Sequence, residues 1–70
     1  MTKHYKSVIW KHPFLSFEDN AALIQLRREA GLSLNCGVED STSPLGWVND
    51  YYGPALSKEE QELLMLEEIK

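Results

Sequence analysis

"SPLGWVNDYYG", Ser43 to Gly53, holds one tryptophan and two tyrosines of a chain with seven aromatic residues. Its secondary structure decides the fold. Ser43-Pro44 reads as an N-cap with a first-turn proline, and Gly53-Pro54 as a helix stop. Trp47 and Tyr51 are four apart, as are Val48 and Tyr52, so a helix would place each pair on one face. Gly46 counts against this, at ~1 kcal/mol in a helix interior. The rival is a turn at "SPLG" followed by a strand "WVNDYY", whose alternation Asn49-Asp50 interrupts. The balance favours a short helix over residues 44–52.

The flanking segments read more clearly. In "SKEEQELLMLEEIK", Ser57 and Glu60 form a capping box and predict a helix over residues 58–69. Leu56, Leu63, Leu66 and either Ile69 or Met65 give its apolar stripe, which Leu64 and Met65 widen. Upstream, "SFEDNAALIQLRREAGL" predicts a helix over residues 17–30. Ser16 and Asp19 open it, Arg27 and Arg28 occupy its last turn, and Gly31 suits a left-handed cap. Leu23, Leu26 and Ala30 are its expected buried face, flanked by Phe17, Ala22 or Ile24. "SLNCGVEDSTSP" is a loop by composition, with Leu34, Cys36 and Val38 alternating as a brief strand.

"HYKSVIWKH", His4 to His12, is β-branched and aromatic, and predicts a strand or extended arm ending at Pro13. A lone strand cannot satisfy its own backbone, and no second strand of similar strength is visible. The expected fold is therefore α+β or mostly α. It is a single small domain over residues 1–70, with an arm or strand over 1–13. Residues 14–70 form a helical body with three helices (17–30, 44–52 and 58–69).

At this length a core leaves only ~3–5 kcal/mol of net stability, so few apolar residues can be spared for a deep cleft. The single cysteine, Cys36, excludes an internal disulfide and a cysteine zinc cage within one chain. "MTKHYKSVIW" lacks the apolar run of a secretory leader, and no stretch nears a membrane span. A soluble, cytoplasmic protein is expected. The net charge of −4 conceals a split: residues 1–31 sum to +2 and residues 32–70 to −6. Such a split suits a charged protein partner, and equally a normal solvated surface.

Catalytic chemistry finds little support. His4 and His12 lack metal-ligand spacing and read as surface histidines. Cys36 has no local feature that would lower its pKa and reads as a small, at least half-buried thiol. Glu39-Asp40, Glu59-Glu60 and Glu67-Glu68 read as solvated charge, and no glycine-rich phosphate loop is present. No enzyme activity, cofactor or metal is expected.

"LIQLRREAGLSL", Leu23 to Leu34, resembles the opening helix and turn of the Cro/repressor class of helix-turn-helix domains. The resemblance implies a second helix and a basic recognition helix. "NCGVEDSTSPLGW" instead brings glycine and two acids, and the remaining helices are aromatic or acidic, which disfavours direct nucleic-acid binding.

Interaction surfaces remain. Tryptophan, tyrosine and arginine are the types enriched in binding hot spots. The residues expected to meet a partner are Lys6, Trp10, Lys11, Arg27, Arg28, Trp47, Tyr51, Glu60 and Glu67. The expected function is that of a small inhibitor or adaptor, of the kind phages and bacteria encode, docking on a larger protein. A nucleic-acid-handling enzyme, such as RNA polymerase or a nuclease, is a suitable target class. The alternatives are a DNA-binding regulator using the basic N-terminal half, or a self-associating structural protein.

Overall fold

The computed structural model of the protein describes residues 2–12 and 15–69. Pro13, the expected strand stop, and Phe14 lie outside them. The elements are β1 (Lys3–Ser7), a 3-10 turn (Ile9–Lys11), α1 (Phe17–Glu29), β2 (Ser33–Leu34), β3 (Val38–Glu39), β4 (Trp47–Val48), β5 (Asp50–Gly53), α2 (Lys58–Leu63) and β6 (Leu66–Glu68). Four strands form an antiparallel sheet in the order β2-β5-β1-β6, and β3 and β4 form a two-stranded sheet.

The expected helical body with three helices is therefore incorrect: among the described residues two α-helices accompany six strands. Of the arm or strand expected over residues 1–13, the strand is what forms, over Lys3–Ser7. β1 is an inner strand, with Tyr5 opposite Tyr51 on one side and Glu68 on the other. The weak strand expected after Gly31 splits into β2, which pairs with β5, and β3, which pairs with β4.

Residues 44–52 are not helical, and the reason is local. Gly46 takes φ +79°, and the turn before β4 is closed by Asp40 N–H to Gly46 O (3.0 Å) and Gly46 N–H to Ser43 O (3.0 Å). Ser43, the expected helix cap, sends its hydroxyl to Trp47 O instead (3.0 Å). Asn49 marks a transfer between sheets: its carbonyl receives Ser7 N–H (2.8 Å), after which β5 runs beside β1.

The C-terminal correction has another cause. The capping box at Ser57 and Glu60 forms, but α2 stops at Leu63. Met65 adopts φ +56°, a left-handed conformation that costs a non-glycine residue roughly 1–2 kcal/mol. That reversal sends Leu66–Glu68 back along β1 as a strand. α1 keeps nearly its expected length, with Ser16 accepting from Asp19 N–H, and Gly31 (φ +87°) closes it.

One face of the large sheet makes the core, where Tyr5, Tyr51 and Leu66 meet Leu23, Leu32 and Leu64. α1 contributes Leu23 and Arg27 to the interior, one helical turn apart. Leu26, expected inside, is half exposed, and Phe17 is almost fully exposed. No helix among the described residues is long and apolar enough to cross a membrane.

Gly53 shows how closely the sheet approaches the end of α1. A Cβ there would lie against the Leu32 side chain, 3.1 Å from Gly31 O and 3.2 Å from Leu32 Cα. Backbone atoms cannot rotate away as side chains do. Gly53→Ala is therefore expected to cost about 1–3 kcal/mol, read as a lower urea midpoint with an unchanged slope. A midpoint equal to the parent's would mean that the contact yields freely.

Candidate functional site

Several of the charged and aromatic residues expected at a partner surface are occupied within the fold. Arg27 is 2 % exposed. Its guanidinium donates to Leu64 O (2.9 Å), Met65 O (3.1 Å), Ser7 Oγ (3.1 Å) and Tyr51 Oη (3.3 Å). Its charge also sits 4.9 Å from the Tyr51 ring centre. Burial pushes its pKa below the ordinary arginine value, while the hydrogen bond to Tyr51 works the other way. Arginine stays protonated at neutral pH all the same. Arg27 and Tyr51 are thus interior residues, and neither offers a surface to a partner.

Glu60 is exposed, but its carboxylate accepts Ser57 N–H (2.9 Å) as part of the capping box. Lys6 projects from the other face of β1 to Asp40 (3.2 Å), and Lys11 reaches Glu67 (2.7 Å) while lying 5.5 Å from the Trp10 ring centre. Both ion pairs join the basic N-terminal half to the acidic C-terminal half. Part of the charge split therefore serves the fold itself. Arg28 stays exposed in the last turn of α1.

A buried polar cluster lies on that same face of the sheet. Asp50 is 0 % exposed. Its carboxylate receives Asn35 Nδ2 (2.9 Å) and Gly37 N–H (2.8 Å), and lies 2.5 Å from His4 Nε2. An ionised carboxylate has no proton to give, so His4 must carry its proton on Nε2. The His4 ring stacks on Tyr52, with centres 4.2 Å apart and planes at 6°. Burial works to raise the Asp50 pKa, yet the bonds from Asn35, His4 and Gly37 outweigh it and hold it below the ordinary aspartate value. Asp40 is also lowered, chiefly by hydrogen bonds from Thr42 and further by Lys6, against the effect of burial.

Asp40 and His4 therefore differ from the solvated acid and surface histidine expected of them. Cys36, expected to be at least half buried, is exposed. No group of three His, Cys, Asp or Glu side chains among the described residues is placed to share a metal ion.

Trp10 and Trp47 do come together. The turn after β1 brings Trp10 beside β4, and the two rings line a shallow hollow of about 280 Å³ with Leu45, Ile9 and Val48. Trp47 is 48 % exposed and Leu45 75 %. On its covered side, Trp47 packs against the backbone at Gly37, where a Cβ would come within 3.2 Å of the ring. Trp10 is half-buried, and its Nε1 has no hydrogen-bond acceptor among the described residues. The hollow is smaller than the ~300–1,000 Å³ of typical small-molecule sites. It has the scale of a seat for one or two apolar side chains.

Leu45 was not legible as a member of this surface. It sits in a turn-forming segment, where an apolar residue carries no periodic signal. Trp47 was legible by residue type, but its meeting with Trp10 belongs to the fold, which sets β4 beside the turn after β1. No family model, curated protein or solved structure matches the chain, so the reading of the site rests on its own geometry.

Proposed function

We propose that the protein is a small non-enzymatic binding module that docks on a larger protein through the hollow framed by Trp10, Leu45 and Trp47. The observation that carries this reading is the convergence of two tryptophans and an exposed leucine on one concave surface. Single exposed apolar residues are ordinary, whereas a contiguous set marks an interaction site. The occupant is an apolar side chain of the partner, since the hollow is shallow and its walls are largely apolar. Docking of this kind is how a small inhibitor or adaptor alters a larger protein. Because Lys6 and Lys11 have internal partners, the proposal rests on the apolar surface rather than on charge.

The test places a photo-crosslinking residue at Leu45 and, as a control, at Glu29 on the exposed side of α1. Crosslinking to a heterologous protein from Leu45 alone is expected. Trp47→Ala and Leu45→Asp should each weaken retention of that protein by about tenfold or more, as truncation of a hot spot does. Both variants must keep the parent's circular dichroism. Equal crosslinking from the two positions, or products that contain only this chain, would remove the proposal.

A further inference from the structure

We infer that α1 carries a self-association surface, on which a second copy of this chain packs its own α1 antiparallel. This inference is independent of the two-tryptophan hollow. Leu23 and Arg27 mark the face of α1 that is turned to the interior. Phe17, Ala21, Ile24 and Arg28 lie about 110° round the helix from that face, at 3.6 residues per turn. All four are exposed, Phe17 by 89 % and Ile24 by 47 %. Their spacing of four, three and four residues is that of the seam by which one helix packs on another. Within the chain this seam faces solvent, and the helix leaves its one phenylalanine outside.

The seam fits its own copy. A two-fold axis passing between Ala21 and Ile24 sets Ala21 of each helix beside Ile24 of the other, so the larger side chain fills the space over the smaller. The small alanine also lets the axes close to the ~8–10 Å of packed helices. At both ends Phe17 then lies level with Arg28 of the second copy. The arginine stem covers the ring, and a guanidinium over the ring face gains a cation–π contact.

Charge fixes the direction. Glu18 stands in the first turn of α1 and Arg28 in the last. Neither has an ion-pair partner among the described residues. Glu29, the other acid near that end, is engaged by Gln25 of its own helix (3.2 Å). Antiparallel packing brings Arg28 of each copy to Glu18 of the other, twice by symmetry. It also sets the positive end of one helix beside the negative end of the other. Parallel packing would stack Glu18 on Glu18 and Arg28 on Arg28. One side of a helix about 20 Å long buries less than the ~800 Å² per partner of a standard interface. The dimer is therefore weak, with a Kd on the order of 0.1–1 mM. At the far lower concentrations of the crosslinking test the copies stay apart, so the two surfaces are tested separately.

Sedimentation equilibrium of the full chain, from micromolar to millimolar concentration, is expected to show the mass rising from monomer towards dimer. The amide resonances of Ala21, Ile24 and Arg28 should shift over the same range, a readout that needs no substitution. Phe17→Asp and Ile24→Asp should each weaken association by about tenfold or more. Phe17 is almost wholly exposed, so Phe17→Asp tests the seam even if Ile24→Asp fails to fold. Glu18→Arg and Arg28→Glu should each weaken association by about tenfold, because like charges then meet at both ends. A one-to-one mixture of those two variants restores opposite charges at both ends, and should associate as the parent does. A parent that stays monomeric at millimolar concentration would overturn the inference. So would association that Phe17→Asp leaves unchanged, or a mixture that associates no better than either charge variant alone.

Discussion

Arg27→Ala is expected to leave most of the protein unfolded at room temperature, with no cooperative transition in urea. The guanidinium stands in a closed interior and faces no carboxylate among the described residues. It is held by two carbonyls at the end of α2 and by two hydroxyls. Those carbonyls carry the negative end of the short helix, so a cation there is favourable on that ground as well. Truncation strands Leu64 O in the core, leaves Met65 O with Val8 N–H alone, empties a large volume and removes two of the bonds that brace Met65 in its left-handed turn. Breaking a buried charged network costs about 3–5 kcal/mol, which equals the whole stability expected of a core this small. Arg27→Lys should fold but lose about 1–3 kcal/mol, because one ammonium cannot reach all four acceptors. Arg27→Met separates volume from hydrogen bonding. If it melts with the parent, the carbonyls need no donor and the explanation fails.

Arg27 also shows where sequence reading stops. Its place in the last turn of α1 was legible, as were Ser16, Gly31 and the Ser57–Glu60 box, because caps act over three or four residues. Its burial was not legible. At residue 27 an arginine reads as surface charge until the turn after α2, some forty residues on, supplies acceptors. The same distance hides β6. A glycine at position 65 would have announced a helix end, whereas methionine in that conformation is held by bonds from Arg27 to the carbonyls of Leu64 and Met65 and by the backbone bonds of Met65 to Glu62 and Val8.

The stretch from Ser43 to Gly53 failed differently. Ser-Pro and Gly-Pro punctuate helices and turns alike, and the four-residue spacing of Trp47 and Tyr51 occurs in both readings. The discriminating residue was Asp50, which reads as a break in a strand because strands rarely bury an acid. Here the acid is buried and paired, so the interruption of the pattern was a sign of the polar cluster rather than evidence against the strand. Of the candidate surface, Trp10 and Trp47 were legible as residue types. Lys6, Lys11 and Glu67 were legible as charges, but the pairing of Lys6 with Asp40 and of Lys11 with Glu67 belongs to the topology.

Acid is expected to unfold the protein from below the ordinary aspartate range, and Asp50→Asn to remove part of that pH dependence. Asp50 has a folded pKa beneath its unfolded value, so the unfolded chain takes up the proton first as pH falls. Its contribution is then complete above about pH 4, and is lost as pH falls through the lower folded value. Asp40 is shifted in the same direction and adds to the loss over the same range. Protonation would set a carboxyl hydrogen against the donors of Asn35, Gly37 and His4. Asp50→Asn imposes a similar mismatch at neutral pH. The carboxamide has one oxygen for three donors arranged around two, so its amino group faces Gly37 N–H in one orientation and both His4 and Asn35 in the other. The expected cost is about 1.5–3 kcal/mol, as for hydrogen bonds to a charged group. His4→Phe keeps a ring against Tyr52 but removes a single donor, and should cost less than Asp50→Asn. Urea midpoints of the parent and both variants, taken from about pH 2 to pH 7, test the account. A parent curve flat through the acid range, or an Asp50→Asn curve that falls as steeply as the parent's, would show that the buried carboxylate is not what acid attacks.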